Sequence, residues 1–387
     1  MDEIERRKQA IAMYLSNQKT VEICRKLQKS RPWFYKWLKR YQQDPKGKWY
    51  LDHSSTPNKL TKSYTKEQEA LVIQIRKKLE KTPYAQIGAI SIQWEMQKLN
   101  IAPLPIWTID RIIKRNGLNR VKEKPTKKKN EYPDYSKAYT HELDLVGPRY
   151  LKQSGKYYFC NIIDTSTHCI NINILKNKKT EGILNSVIRF WKQFGIPDFL
   201  QMDNELSYRG SNRHPHNFGL LIRFALSQGV IPVFIPQAEP WRNGIIEKFN
   251  DTFDKKFFRT QTFSNYEQLV EQAGKFEHFH NHNYRYSSNG NRTPLQVYLQ
   301  DKMNGFLLDK YYEIPNFMPL ERGEIIVIRF IRSNRQLNIF GETFLLNPEL
   351  VYSYVEAKIS IEGQALKIYS DNKLVQEFLY PTPVDWM

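Results

Sequence analysis

Three acidic residues occupy positions where a carboxylate is either costly or chemically useful. Asp144 lies inside the apolar run Leu143-Asp-Leu-Val146, where an acid is expensive to bury unless something compensates it. Asp203 follows Phe199-Leu-Gln-Met202 and opens the polar stretch Asn204-Glu-Leu-Ser-Tyr-Arg-Gly210. Glu247 sits in Ile245-Ile-Glu-Lys-Phe-Asn250, a helix-forming run. Taken singly, Asp144 reads equally as a metal ligand or a strand-edge acid, and Asp203 as a ligand or a loop cap. Taken together they have the composition of a two-cation phosphoryl-transfer site. Hard oxygen ligands suit Mg2+, and two divalent cations about 3.5–4 Å apart activate a nucleophile and relieve charge on the leaving oxygen. Three acids projecting from the ends of a mixed sheet and an adjoining helix suffice for it.

The surrounding pattern supplies such elements. Glu142–Val146, Tyr157–Ile163 and Cys169–Leu175 are three strand-like runs in close succession, and their short connections favour antiparallel pairing. A helix over Thr180–Phe194, a strand over Phe199–Met202, a helix near Phe218–Gln228 and a strand over Val230–Ile235 follow. A long helix then starts near Asn243 and continues past Lys256. The sum is a mixed-sheet α/β domain.

Upstream, two helix-turn-helix units are expected, over residues 1–45 and 60–118, joined by the polar stretch Asp44–Thr65. In the first, Thr20 is a plausible N-cap, and Ser30 caps a helix with Pro32 in its first turn. That helix carries Arg31, Lys36, Lys39 and Arg40 on or beside a face suited to a major groove. The second has helices over Thr65–Lys81, Ala89–Leu99 and Ile106–Asn116, with Gly117 as the residue just past the end. Arg111, Lys114 and Arg115 on the last of these are further candidate DNA contacts, as are Lys127, Lys128 and Lys129 in a basic linker over 119–135. Downstream, short strands at Ile325–Phe330, Gln336–Ile339, Glu342–Leu345, Val355–Ile361 and Leu366–Tyr369 predict a small C-terminal β-barrel over 318–380. Its Arg329, Arg332 and Arg335 read as DNA contacts or as a solvated strand face.

Charge sharpens the picture. The 387 residues carry a net +19, and residues 1–130 hold 30 Lys/Arg against 12 Asp/Glu, so the remaining chain is nearly neutral. A basic head on a neutral body points to a polyanionic partner, and to nucleic acid ahead of an acidic membrane. No stretch approaches the roughly 18 apolar residues of a membrane span, and the start MDEIERRKQA lacks the pattern of a signal peptide. Cys24, Cys160 and Cys169 have no metal-binding spacing and suit a reducing compartment. The expectation is a soluble cytoplasmic protein, nucleoid-associated in a prokaryote. No P-loop occurs, so ATP hydrolysis is not expected.

The three acids stand in blocks that resemble those of insertion-sequence transposases and retroviral integrases. His141-Glu-Leu-Asp-Leu-Val-Gly147 is similar to the first block, a hydrophobic strand carrying an Asp before a Gly. Pro197-Asp-Phe-Leu-Gln-Met-Asp-Asn204 resembles the second, with an Asp-Asn pair ending a strand. Pro240-Trp-Arg-Asn-Gly-Ile-Ile-Glu-Lys-Phe-Asn250 resembles the third, a Pro/Asn-Gly turn running into a helix with a Glu. Asn281-His-Asn-Tyr-Arg-Tyr-Ser-Ser288 and Arg292-Thr-Pro-Leu-Gln-Val-Tyr298 look like the segment closing that domain. The likeness is close over residues 139–300 and looser over the head and tail. It implies a ribonuclease-H-like catalytic core over 136–300, with Asp144, Asp203 and Glu247 as catalytic, metal-binding acids.

The spacing of the acids departs from that resemblance at one point. Many members of that superfamily separate the second Asp from the Glu by about 35 residues, which from Asp203 lands on Glu239, whereas 43 residues precede Glu247. Pro236 and Pro240 bracket Glu239 in a segment that cannot be regular helix. Glu247 has the matching context, and the polar stretch Arg209–Asn217 reads as the insertion that lengthens the spacing.

The resemblance implies a DDE-type polynucleotidyl transferase. It would use two Mg2+, or Mn2+ in their place, for 3′-end cleavage of double-stranded DNA at the element's terminal repeats and for strand transfer into target DNA. It also implies a homo-oligomer assembled on DNA, with an accessory ATPase as a possible partner. The alternatives are a DNA-binding regulator derived from a transposase and a nuclease of the same fold that only hydrolyses. Asn204 and Asn243 are candidates for positioning roles. Asp164 is expected to fix a turn, Glu205 has no motif support, and His278, His280 and His282 lack a zinc pattern.

Overall fold

The computed structural model describes residues 2–52, 64–119, 132–152, 154–213, 216–301 and 306–383. The chain divides into two units, residues 1–63 and 64–387. In the first, α1 (Glu3–Leu15), α2 (Thr20–Leu27) and α3 (Arg31–Gln43) enclose Ala10, Ile11, Ile23, Leu27, Phe34 and Leu38. Ser30 Oγ accepts the Trp33 N–H at 3.3 Å and Pro32 sits in the first turn, as the sequence predicts. Thr20 does not cap α2. It is the first helical residue, preceded by Lys19, which has no acceptor to offer.

The second unit opens with another group of three helices: α4 (Lys66–Lys81), α5 (Ala89–Lys98) and α6 (Ile106–Arg115). Thr65 and Gln68 form a reciprocal capping box on α4. Past α6, Gly117 adopts a φ of +66°, and the Leu118 N–H reaches back to Ile113 O at 3.0 Å, closing the helix as its position implies. Val72, Ile75, Ile92, Met96, Ile109 and Ile112 fill the centre. This group is packed onto the α/β body. The Tyr84 ring lies edge-on to Phe276 at 5.2 Å, and its carbonyl accepts from Tyr284 Oη at 2.8 Å. Gln86 exchanges two hydrogen bonds with the backbone of Arg285.

The body begins with β1 (Thr140–Leu151), β2 (Gly155–Asp164) and β3 (Ile170–Leu175), paired antiparallel in succession. Then come α7 (Thr180–Phe194), β4 (Phe199–Met202), the single turn α8 (Leu206–Arg209), α9 (Leu220–Ser227) and β5 (Ile231–Phe234). Strand β4 pairs parallel to β1 and β5 parallel to β4, giving the mixed sheet expected from the sequence. Three helices follow: α10 (Gly244–Lys256), α11 (Tyr266–Asn283) and α12 (Pro294–Asp301).

Side chains alternate across the sheet. Leu143, Cys160, Ile162, Leu200 and Met202 meet α7 and α9 on one face, while Phe159, Ile163, Ile170 and Ile172 meet α10 and α11 on the other. Helix α10 is held by a row of rings spaced four residues apart, Phe249, Phe253 and Phe257, stacked at 5.8 and 4.8 Å. Phe276 of α11 approaches Phe253 at 5.1 Å from the other side.

The C-terminal segment corrects the sequence reading. It forms β6 (Glu324–Phe330), β7 (Gln336–Ile339), β8 (Glu342–Leu345), β9 (Tyr354–Ser360), β10 (Ala365–Ser370) and β11 (Lys373–Leu379). No closed barrel is present over 318–380. Strand β6 pairs parallel to β5 and the rest continue outward, giving one nine-stranded sheet ordered β11-β10-β9-β6-β5-β4-β1-β2-β3. Strands β7 and β8 form a separate hairpin. The reason is that β5 would otherwise end the core with an unpaired edge. Joining β6 to it buries Ile325, Val327 and Ile328. Strand β11, not expected from the sequence, is joined to β10 by Asp371 and Asn372, both with positive φ, in a two-residue hairpin turn.

At the opposite margin, several outward backbone groups of β3 are taken by side chains. Asn281 bonds both the N–H and the carbonyl of Ile170, Glu277 accepts the Ile172 N–H at 2.7 Å, and Tyr266 Oη donates to Ile174 O at 2.8 Å.

Phe253 is 1% exposed at the centre of the ring row. Phe253→Ala is expected to lower the unfolding free energy of this unit by about 3–5 kcal/mol. Urea denaturation followed by tryptophan fluorescence measures it, and a loss below about 1 kcal/mol would mean that α10 does not depend on this stack.

Candidate active site

The same alternation that buries Leu143 against α7 turns Glu142 and Asp144 toward α10. Glu142 is 1% exposed, and its Oε2 accepts the Ile246 N–H at 2.7 Å. The Ile245 N–H also points to it. These are orphan donors of the first turn of α10, for which Asn243 provides no side-chain cap, so β1 caps the helix from outside. Gln201 of β4 donates to Glu142 Oε1 at 3.3 Å and to Asn243 Oδ1 at 3.2 Å. Asn243 donates to Leu143 O at 3.2 Å, beside Asp144. Burial pushes Glu142 up to about 7 while the two N–H groups pull it back.

This latch sets α10 against β1, with Glu247 in its first turn. One turn on, Asn250 Nδ2 donates to Asp144 Oδ2 at 2.6 Å, and Asn250 Oδ1 accepts from Asn161 Nδ2 at 2.8 Å. Asn161 is the cross-strand partner of Asp144 on β2. Asp203 directly follows β4, and the Glu205 N–H donates to its Oδ1 at 2.9 Å. Lys178 pairs with Glu205 at 2.7 Å.

The three acids sense one another. Burial and then the charges of Glu247 and Asp203 push Asp144 up to about 6. Burial and the Asp203 charge raise Glu247. Burial raises Asp203 too, with Glu205 adding to the rise and the Glu205 N–H and Lys178 opposing it. Among the described residues, no three of His, Cys, Asp and Glu converge closely enough to form a ligand cluster. Asp144 and Asp203 are each engaged by a neutral protein donor instead, Asn250 and the Glu205 N–H. The donor set nevertheless fits divalent Mg2+ or Mn2+: hard oxygens only, with mutual charge repulsion that a cation would relieve.

Glu239 stands elsewhere. It lies outside α10, bound to Arg242 Nε at 2.9 Å and to the Tyr354 hydroxyl at 2.8 Å. Asn204 donates to Ile235 O at 2.7 Å, fixing the turn after β4 to the end of β5. Asp164 accepts from Ser166 N–H and the Thr167 hydroxyl, fixing a turn. His280 is buried and bonded to Tyr286 Oη at 2.7 Å, while His278 and His282 stack on each other. Arg329 is buried among backbone carbonyls, which removes it as a DNA contact. Glu142, Asn161 and Asn250 were not singled out from the sequence. Their signals were polar residues alternating into apolar strands, and an Asn at helical spacing from Glu247.

Of the basic candidates, Arg31, Lys36 and Lys39 are exposed on α3, while Arg40 is half-buried, donating to Leu51 O and lying over Trp37. Arg111, Lys114 and Arg115 are exposed on α6, with Arg115 donating to Tyr64 Oη at 2.9 Å. Lys127, Lys128 and Lys129 lie outside the described residues.

The family model described as "Winged helix-turn helix" matches residues 7–70. Among curated proteins none matches. Solved structures to which the chain is similar include the HTLV-2 integrase catalytic core domain in complex with magnesium, at 15% identity over 42% of this chain and 96% of that one, TM-score 0.32. The catalytic core domain of BIV integrase is 12% identical over 43% and 96%, TM-score 0.31. A simian T-cell lymphotropic virus intasome is 14% identical over 74% and 92%, TM-score 0.36.

Glu142→Leu strips the α10 N–H groups of their acceptor and is expected to cost about 1–3 kcal/mol. Faster hydrogen exchange at the Ile246 amide is its signature, and unchanged exchange there would remove the capping role. A second expectation concerns acid. Burial holds His280 down at about 3, so the unfolded chain protonates first as pH falls below about 6.5. Stability is therefore present above pH 6.5 and is lost progressively toward pH 3. Urea midpoints at pH 7.5 and 5 should fall less for His280→Gln than for wild type, and equal losses would refute it.

Proposed function

We propose that this chain is a DNA transposase of the DDE type, with Asp144, Asp203 and Glu247 as its catalytic acids. The observation that carries the reading is their placement. One acid lies within β1, one directly follows the adjacent parallel strand β4, and one sits in the first turn of the helix latched to β1, each raised by burial and coupled by charge. The motif context of all three, the winged helix-turn-helix match at the head and the basic charge of residues 1–130 support the same reading.

In this reading the three acids would hold two Mg2+ or Mn2+ ions, whose chemistry is to sharpen an oxygen nucleophile and offset charge on the reacting phosphate. The chain's own residues set the geometry. Asn250 fixes the rotation of Asp144, and the Glu205 N–H fixes Asp203. The Glu142 latch sets the height of Glu247 against β1. Glu239 belongs to a link between the segment before α10 and β9, through Arg242 and Tyr354. Arg31, Lys36, Lys39 and Arg40 on α3, and Arg111, Lys114 and Arg115 on α6, would read or track the double-stranded terminal repeats, with Lys127, Lys128 and Lys129 adding phosphate contacts. The core would cut at each 3′ end and join the freed hydroxyl to target DNA, as an oligomer on paired ends.

The test is Mg2+- or Mn2+-dependent cleavage and joining of DNA carrying the element's flanking ends. Glu247→Gln is expected to abolish both reactions, beyond the roughly 10–100-fold losses typical of residues that only support a metal ligand, while DNA binding persists. Glu239→Gln should cleave nearly as wild type. Loss confined to Glu239→Gln would reverse the assignment. Cleavage of uncut ends together with no joined product from a pre-cut end would make the chain a hydrolase.

A further inference from the structure

The C-terminal sheet reaches the turn that carries Asp203. Arg329 of β6 is 8% exposed. Its guanidinium donates to Asn204 Oδ1 at 2.6 Å, to Ile235 O at 3.1 Å, to Ile328 O at 2.8 Å and to Asn338 O at 3.2 Å. All four acceptors are neutral. Burial lowers the Arg329 pKa to about 10, with the like charge of Arg209 adding to the effect. A desolvated guanidinium held by neutral acceptors alone is a costly way to fill space, which an apolar side chain of similar volume would do more cheaply.

What the arginine does is join three separate stretches of chain. Ile235 follows β5, Asn338 belongs to β7, and Asn204 follows Asp203 directly. Asn204 is gripped on both sides: its Oδ1 by Arg329 and its Nδ2 by Ile235 O. Its carbonyl accepts from Arg209 Nε at 3.1 Å. With the next residue clamped in this way, the backbone of Asp203 has little freedom to turn.

We propose that Arg329 is a positioning residue for Asp203, acting through Asn204, so that the C-terminal sheet is a working part of the carboxylate site. The proposal rests on the reading of Asp144, Asp203 and Glu247 as the catalytic acids. It differs from two simpler roles. A space-filling residue would be replaceable by any side chain of its volume, and a DNA contact would have to be exposed.

The experiment uses the full chain and four variants: Arg329→Met, Arg329→Lys, Asn204→Ala, and the double variant of Met at 329 with Ala at 204. Ile326→Ala serves as the control, since Ile326 is buried on the same strand and packs with Val233 and Ile328 away from the Asp203 turn. Hydrogen exchange is read over residues 203–209. Arg329→Met and Asn204→Ala should each accelerate it there, and Ile326→Ala should not. In metal-dependent cleavage each single variant is expected to lower kcat by about 10–100-fold with KM for DNA unchanged. The double variant should be no worse than the poorer single, because both remove the same clamp, and Arg329→Lys should recover part of the loss. Unchanged exchange at 203–209 in Arg329→Met would overturn the proposal. So would losses that multiply in the double variant, or an equal loss in Ile326→Ala. A wild-type chain that fails to cleave would remove the transposase reading alone, since the exchange measurement still decides whether Arg329 holds the turn.

Discussion

Everything about the candidate site depends on where the first turn of one helix is held. A helix N-terminus presents backbone N–H groups that must be satisfied, and here a strand supplies the acceptor: Glu142, buried in β1, takes the N–H of Ile246. A carboxylate in that position is tolerable only because the helix end and Gln201 meet it with donors. The interaction therefore works in both directions, stabilising a buried charge and fixing a helix. Asp144 is two residues along the same strand and Glu247 lies in the first turn of the same helix, so the latch determines the separation of two acids that never contact it. The row of Phe249, Phe253 and Phe257 holds the remainder of the helix down, and the polar end supplies the register that a greasy surface cannot.

How much of this was legible in the sequence varies with the range of the interaction. Local signals held where they were local. The Ser30 cap, the turn at Gly117, the helix Thr180–Phe194 and the strand Phe199–Met202 all stand where short-range pattern places them. The three acids stood out through the motif blocks they occupy, since read singly Asp144 serves equally as a strand-edge acid and Asp203 as a loop cap. Their supporting residues did not stand out, because Glu142, Asn161 and Asn250 acquire meaning only when three distant segments meet. The C-terminal strands were seen as strands, but no local pattern says which edge they join. The pairing of Val233 with Ile326 is a fact about the whole body, and the hairpin at Asp371-Asn372 was missed although such a pair between two strands is a usable signal.

The tail's placement changes what kind of object the α/β body is. A barrel on a linker would move independently of the acids. A continuation of the central sheet cannot, because β5 and β6 share backbone hydrogen bonds, and Tyr354 of β9 bonds Glu239 just ahead of the helix that carries Glu247. The second group of helices is similarly committed through Tyr84 and Gln86. Glu239 thus acquires an explanation that spacing alone concealed, as a fastening between the segment before α10 and the added strands.

The partly covered margin at β3 has a consequence for how copies of this chain can meet. With Asn281, Glu277 and Tyr266 occupying four of its outward backbone groups, that border offers an interrupted ladder to another strand. A neighbour approaching from that side docks largely on side chains, through a surface that can dissociate without unzipping a sheet. Sheet-to-sheet addition is therefore disfavoured along that flank, and the sheet's strand order ends there at β3.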